Sequence, residues 1–202
     1  MLHRDSFIID PATFELIQKL QSFEELNDFV LVGGTSLALQ IGHRYSIDID
    51  LCSQSEFDVN EKVEFLESNF ENIRIVAENK NSLSCVISGV KVDFISHRYP
   101  YVKPILEEEG IRYLGKEDIA AFKQNAIVNS GKRLKDFLDI FHLLGHYTMR
   151  ELASFYTTKY TKRSALIAVK ALGYFDEIDP SIDVPIVRDE LSLVLSHIHI
   201  RR

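Results

Sequence analysis

Cysteine is scarce in this chain of 202 residues: it occurs twice, as Cys52 and Cys85. Two thiols cannot build a zinc cluster by themselves and trace no secretory disulfide framework, so both are expected to be reduced, in a cytoplasmic protein, with no redox role. Long hydrophobic runs are also missing. No stretch approaches about 18 consecutive apolar residues, and Met1 to Asp10 lacks a basic region followed by an apolar one, so neither a membrane span nor export is expected. Positive charge is in deficit, with 23 Lys and Arg against 30 Asp and Glu and a formal net charge of -7. A surface that coats nucleic acid throughout is thereby excluded, and any nucleic-acid partner must be met through a local basic patch. There is no internal repeat and no low-complexity segment. What is present is the balance of an ordinary soluble globular chain, 46% hydrophobic and 26% charged. Its length suffices to bury a core without disulfide or metal staples.

The local patterns divide the chain into a mixed α/β half and a helical half. Asp10-Pro11 opens a helix, as cap and first helical residue, with Phe14, Ile17 and Leu20 at helical spacing behind it. Phe29 to Val32 is a short apolar run that ends at Gly33-Gly34 and predicts a buried strand, a tight turn and a brief helix over 37–41. Ile47 to Leu51 alternates apolar and acidic residues as a half-buried strand does. A helix over 59–69 separates it from strand candidates at 73–77, 83–87 and 90–95. From Lys116 onward helical periodicity takes over, at 117–129, 133–145, 149–158, 163–172 and 187–197, with a surface loop over 175–185. The expected organisation is an α+β core over 1–115, with a mixed β-sheet flanked by helices, followed by a helical domain over 116–202.

The chemistry concentrates in the first half. Asp48 and Asp50, two residues apart on a strand, project from one face while Ile47, Ile49 and Leu51 cover the other. Two like charges side by side repel unless a cation neutralises them or one takes up a proton, and hard oxygen ligands suit Mg²⁺ or Mn²⁺. An isolated Asp-x-Asp reads more readily as two solvated acids, but this pair follows a glycine turn. At Gly33-Gly34 a strand passes into a helix whose first positions are Thr35 and Ser36. Glycine admits close backbone approach, and the free N–H groups and positive end of the helix favour a phosphate. The two hydroxyls are expected as added donors, and Arg44 is placed to touch phosphate. Asp93, in the strand Val90 to Ile95, supplies a third carboxylate if that strand lies beside the Asp48–Asp50 strand. Three acids and triphosphate oxygens are what two divalent ions require.

This ordered set resembles the nucleotidyltransferase superfamily that includes polymerase β-like enzymes. The stretch from Leu31 to Leu51, with Lys116 to Lys123 and Lys135 to Leu144 downstream, is similar to the AbiEii/AbiGii toxin family. The resemblance covers residues 29 to 145. It implies a minimal nucleotidyltransferase fold with helical additions, and a toxin, of a toxin–antitoxin or abortive-infection system, paired with an antitoxin. It puts the metal-binding pair on Asp48 and Asp50, the phosphate-binding turn on Gly33, Gly34, Thr35 and Ser36, and the family's downstream Lys and Asp on Lys123 and Asp139, with Asp93 as the superfamily's third acid. The expected reaction moves a nucleoside monophosphate from an NTP to a hydroxyl acceptor, RNA such as a tRNA 3′ end, with Mg²⁺ or Mn²⁺ as cofactor. Two alternatives use the same residues: a non-catalytic nucleotide- or RNA-binding module acting through a partner protein, and metal-assisted phosphoester hydrolysis.

In the helical half Lys123 lies between Ile119 and Ile127, each four residues away, so its stem runs along an apolar stripe and its tip needs an anion. Leu134, Phe137, Leu138 and Phe141 form one core face of the next helix, whereas Asp136 and Asp139 share a second stripe with Ile140 and Leu143. Either these groups serve the phosphates or they form a structural ion pair between adjacent helices. Lys132, Arg133 and Lys135 read as a solvated basic turn, and His43 and His142 as structural. Lys159, Lys162, Arg163 and Lys170, with Tyr156 and Tyr160 interleaved, are the candidate surface for an RNA end.

Overall fold

The computed structural model describes residues 1–179. The expected helix over 187–197, and the expected loop from 180 on, lie outside the described residues. The first helix, α1 (Pro11–Gln21), starts where its cap predicts, the Asp10 carboxylate accepting from the Ala12 N–H at 2.8 Å, and it buries Phe14, Leu16, Ile17 and Leu20. After one 3-10 turn (Glu24–Leu26) comes strand β1 (Val30–Val32). Helix α2 (Gly33–Ile41) follows without an intervening loop. The turn and the helix are therefore one element and not two, because Gly33 takes a positive φ of 73° and redirects the chain in a single residue. Strand β2 (Ile49–Ser53) begins two residues later than its alternation suggests. Ile47 is 45% exposed and covers no core face, since that position precedes the ladder.

Helix α3 (Val59–Asn69), capped by Asp58, leads to β3 (Ile73–Asn79), β4 (Ser82–Ile87) and β5 (Val90–Ser96). Ser88 and Gly89 both take positive φ, the geometry that lets a two-residue turn match the twist of β4 and β5. A second such turn, Glu109-Gly110, joins β6 (Leu106–Glu108) to β7 (Ile111–Tyr113). That hairpin was not expected: three residues per strand give no alternation to read, and Leu106–Glu108 is mostly exposed. The seven strands form one mixed sheet in the order β3-β4-β5-β2-β1-β7-β6. The α+β class is as expected.

Two compact units divide the chain, Met1–Ile119 and Ala120–Arg202. In the first, Leu31, Ile49, Leu51, Leu83, Cys85, Val92 and Phe94 join Ile17, Leu20 and Leu66 in a single buried cluster. Phe94 meets Phe29 edge-on at 5.3 Å. In the helical half, α4 (Lys116–Asn129), α5 (Leu134–Leu143), α6 (Met149–Lys159) and α7 (Ala165–Ala171) follow the predicted spans closely. Helix α6 opens with a reciprocal Thr148–Glu151 capping box. Helix α5 is turned differently from its expected orientation. Phe141 is 45% exposed, whereas Asp136 and Asp139 are buried with Phe137, Ile140 and Leu143. The acids point inward because Lys123 supplies them with a buried counter-charge, described below. Among the described residues no helix is long and apolar enough to cross a membrane.

Candidate active site

The strand register assembles the acidic cluster. β2 and β5 are parallel neighbours with Ile49 opposite Val92, Asp50 opposite Asp93 and Leu51 opposite Phe94. Alternation then sends Ile49, Leu51, Val92 and Phe94 into the core and leaves Asp50 and Asp93 side by side on the other face. Asp48 comes just before β2, and Lys91 lies two residues before Asp93 on β5. The result is an acidic block, Asp50 on β2 with Asp48 just ahead of the strand, and Lys91 and Asp93 on β5. The Lys91 ammonium donates to the Asp93 carboxylate as an ion pair. Burial works to lower the Lys91 pKa, but that hydrogen bond and the charges of Asp93, Asp48 and Asp50 raise it on balance. Lys91 escaped the sequence reading, although Lys91-x-Asp93 carries the same two-residue signal that identified Asp48 and Asp50. Behind the block the Cys85 thiol is pushed up to about 12 by burial, with the Asp93 charge adding to it, which keeps it protonated.

The glycine pair fits against this block. A Cβ on Gly33 would lie 2.1 Å from Asp50 Oδ2 and 2.9 Å from its Cγ. A Cβ on Gly34 would lie 2.1 Å from Arg44 Nη2. Both side chains therefore rest on bare backbone at the start of α2, and the Arg44 guanidinium is held there while also donating to the Tyr45 carbonyl at 3.0 Å. The helix start carries no side-chain cap, so backbone N–H groups are what it offers an anion.

The hydroxyls of Thr35 and Ser36 are placed otherwise than expected. Both residues are buried. Thr35 Oγ1 donates to the Asp48 carbonyl and shares a hydrogen bond with Ser46 Oγ at 2.8 Å, and Ser36 Oγ donates to the Leu114 carbonyl at 3.2 Å. Thr35 thus ties the backbone of Asp48 to α2, and Ser36 anchors the helix from within. A buried hydroxyl needs such partners, and α2 turns these two inward because its outer face at this point belongs to Arg44 and Asp50.

In the second unit Lys123 forms a closed triad. Its Nζ donates to Asp136 Oδ1 and lies next to Asp139 Oδ2, both at 2.8 Å, with side chains 7%, 4% and 0% exposed in that order. Arg133 Nε stands 3.5 Å from Asp136 Oδ2. The structure therefore pairs the two residues assigned to the phosphates, Lys123 and Asp139, with each other and with Asp136, as an ion-pair link from α4 to α5. The basic cluster expected to receive RNA is also rearranged. Lys159, Tyr156 and Tyr160 are buried, Lys159 Nζ standing 4.6 Å from the Phe122 ring centroid. Helical periodicity places Tyr156 and Lys159 on the inner face of α6, and Tyr160 is buried just past its end, which leaves exposed Lys162, Arg163 and Lys170 without interleaved aromatics.

The block suits a divalent cation by its donor chemistry: hard carboxylate oxygens of two neighbouring strands, in a setting polar enough to hold a lysine. Among the described residues no three His, Cys, Asp or Glu are gathered so as to hold a metal alone.

A sequence model of the family described as nucleotidyl transferase AbiEii toxin, Type IV TA system, matches residues 16–183. An uncharacterized protein of Aquifex aeolicus (strain VF5) is 32% identical over 172 residues, covering 81% of each chain. Among solved structures, the Helicobacter pylori protein JHP933 is similar at a TM-score of 0.48 and 17% identity, over 80% of this chain and 86% of that one. MenT4, a nucleotidyltransferase toxin of Mycobacterium tuberculosis, is similar at a TM-score of 0.47 and 12% identity, over 92% and 91%. The family model, which spans most of the chain, carries the family assignment.

Proposed function

Because this chain is a nucleotidyltransferase of the AbiEii toxin family, we propose that it moves a nucleoside monophosphate from an NTP to a hydroxyl of RNA, such as a tRNA 3′ end, in a Mg²⁺- or Mn²⁺-dependent reaction. The observation that carries this reading is the register of Asp50 with Asp93 directly beside the uncapped glycine start of α2. Acid ligands and anion donors then meet at one place, which a triphosphate–metal pair requires. Asp48 and Asp50 would hold the cation, which when bound neutralises phosphate charge. The backbone N–H groups of the Gly33 to Ser36 turn, with the Arg44 guanidinium, hold the triphosphate. Thr35 positions the Asp48 backbone. Asp93 takes the proton of the acceptor hydroxyl, whose oxygen forms the bond to the α-phosphorus while the bond to the β-phosphate bridging oxygen breaks and pyrophosphate leaves. The family description, a toxin of a Type IV TA system, supports an antitoxin partner, and a cytoplasmic location and growth inhibition by the active enzyme belong to the same proposal.

The pairing of Lys123 with Asp136 and Asp139 supports a structural role for all three, holding α4 to α5. Acceptor binding we assign to exposed Lys162, Arg163 and Lys170, the members of the predicted cluster that remain at the surface. The test is incubation of the protein with labelled NTPs, total RNA and Mg²⁺. Wild type is expected to label RNA and release pyrophosphate, and Asp50→Asn to do neither. Equal labelling by both would overturn the reading, and release of inorganic phosphate in place of pyrophosphate would turn it into hydrolysis.

A further inference from the structure

We propose that Lys91 is a built-in counter-ion of the acidic block, which holds the block in shape before the divalent cation arrives and competes with that cation for it. The inference rests on the metal-dependent reading above and extends it to a residue outside the expected site. Asp50 and Asp93, brought side by side by β2 and β5 with Asp48 just ahead of β2, would repel one another. Lys91 relieves this in place: it stands on the same face as Asp93 and is paired to it, and Asp93 lies opposite Asp50 in the register. Lys91 is 48% exposed and Asp93 18%, so the lysine has an open path away from the block while Asp93 stays. The ammonium and the metal seek the same carboxylate oxygens, and the two cations repel each other. Arrival of the metal therefore loosens the Lys91–Asp93 pair and leaves Asp93 available to the acceptor, so that metal binding and release of Asp93 are one event.

The experiment is a titration of the full chain with Mn²⁺, free ion read by electron paramagnetic resonance, for wild type, Lys91→Met, Lys91→Gln, Lys91→Arg and Asp50→Asn. Removing one positive charge within a few ångströms of a divalent ion at the protein surface is expected to tighten Mn²⁺ binding about tenfold in Lys91→Met and Lys91→Gln. Lys91→Arg, which keeps the charge, stays within about twofold of wild type on the same electrostatic ground. Thermal unfolding gives an independent readout, Mn²⁺ raising the midpoint more in Lys91→Met than in wild type through the linkage of binding to folding. If Asp50→Asn abolishes binding while both neutral variants bind no more tightly than wild type, the counter-ion role is overturned and the metal site stands. If Asp50→Asn binds Mn²⁺ as wild type does, the metal reading itself is overturned.

Discussion

The two units hold their carboxylates in opposite ways. In the first, Asp48, Asp50 and Asp93 lie half-buried, Asp50 and Asp93 side by side on a sheet face with the partly exposed Lys91 paired to Asp93. In the second, Asp136 and Asp139 are closed off from water around Lys123, two acids on one fully enclosed ammonium. The first cluster is short of positive charge and open, so its free energy is lowered further by whatever cation and phosphate arrive. The second is already satisfied, and its buried charges tolerate little change. Clustered acids therefore mark a candidate reaction site only where burial and pairing leave them something to bind.

The largest effect expected from breaking this contrast is on transfer. Asp50→Asn is expected to lower nucleotide transfer by roughly a thousandfold, as the loss of a group acting on developing charge does. Its effect on the unfolding midpoint should be small beside its effect on transfer, because Asp50 is only part-buried. Lys123→Met should do the reverse. It strands two buried carboxylates and is expected to cost about 3–5 kcal/mol of stability in urea unfolding. Replacing the whole triad, by Lys123→Met with Asp136→Leu and Asp139→Leu, should restore most of that loss. A Lys123→Met protein as stable as wild type but unable to transfer nucleotide would instead place Lys123 at the phosphates.

Gly33→Ala sharpens the contrast from the backbone side. A φ of 73° and a Cβ 2.1 Å from Asp50 Oδ2 should together cost about 2 kcal/mol and displace the carboxylate. A loss of Mn²⁺ binding larger than the loss of stability would show it. The smallest effect belongs to Glu151 at the α6 cap. Hydrogen bonds from the Thr148 backbone and then its side chain hold its pKa below the ordinary carboxylate value. A lowered folded-state value contributes stability above the unfolded carboxylate pKa and loses it as pH falls through the folded one. Glu151→Gln should therefore lie slightly below wild type in unfolding midpoint at neutral pH and converge with it in acid.

Much of this arrangement was legible in the chain. The cap at Asp10-Pro11, the α3 span, the three strands from residue 73 and the four described helices of the second half follow from periodicity, because their faces are buried on one side only. The acid pair and the glycine turn were legible as residue types at fixed spacing, and the ordered set was enough to point to the family. The β6–β7 hairpin was not, being too short to carry a period, nor was the orientation of Phe141. Two hydrophobic stripes compete on α5, and only the position of Lys123 decides between them.

What the sequence determined by itself is local and additive: which segments are helix or strand, where the backbone can bend, and which carboxylates share a face of one strand. Whether Asp93 joins Asp50 depends on strand order and register, which the 42 intervening residues connect but do not encode in any short pattern. The same holds for Thr35 and Ser36, which read as donors to a ligand until packing turns them into the fold. It holds equally for Lys159, Tyr156 and Tyr160, which read as a surface until helix packing buries them. A charged or hydroxyl side chain can serve the interior or a ligand with the same chemistry. Burial is a property of the whole assembly of elements, so tertiary structure alone could decide between the two.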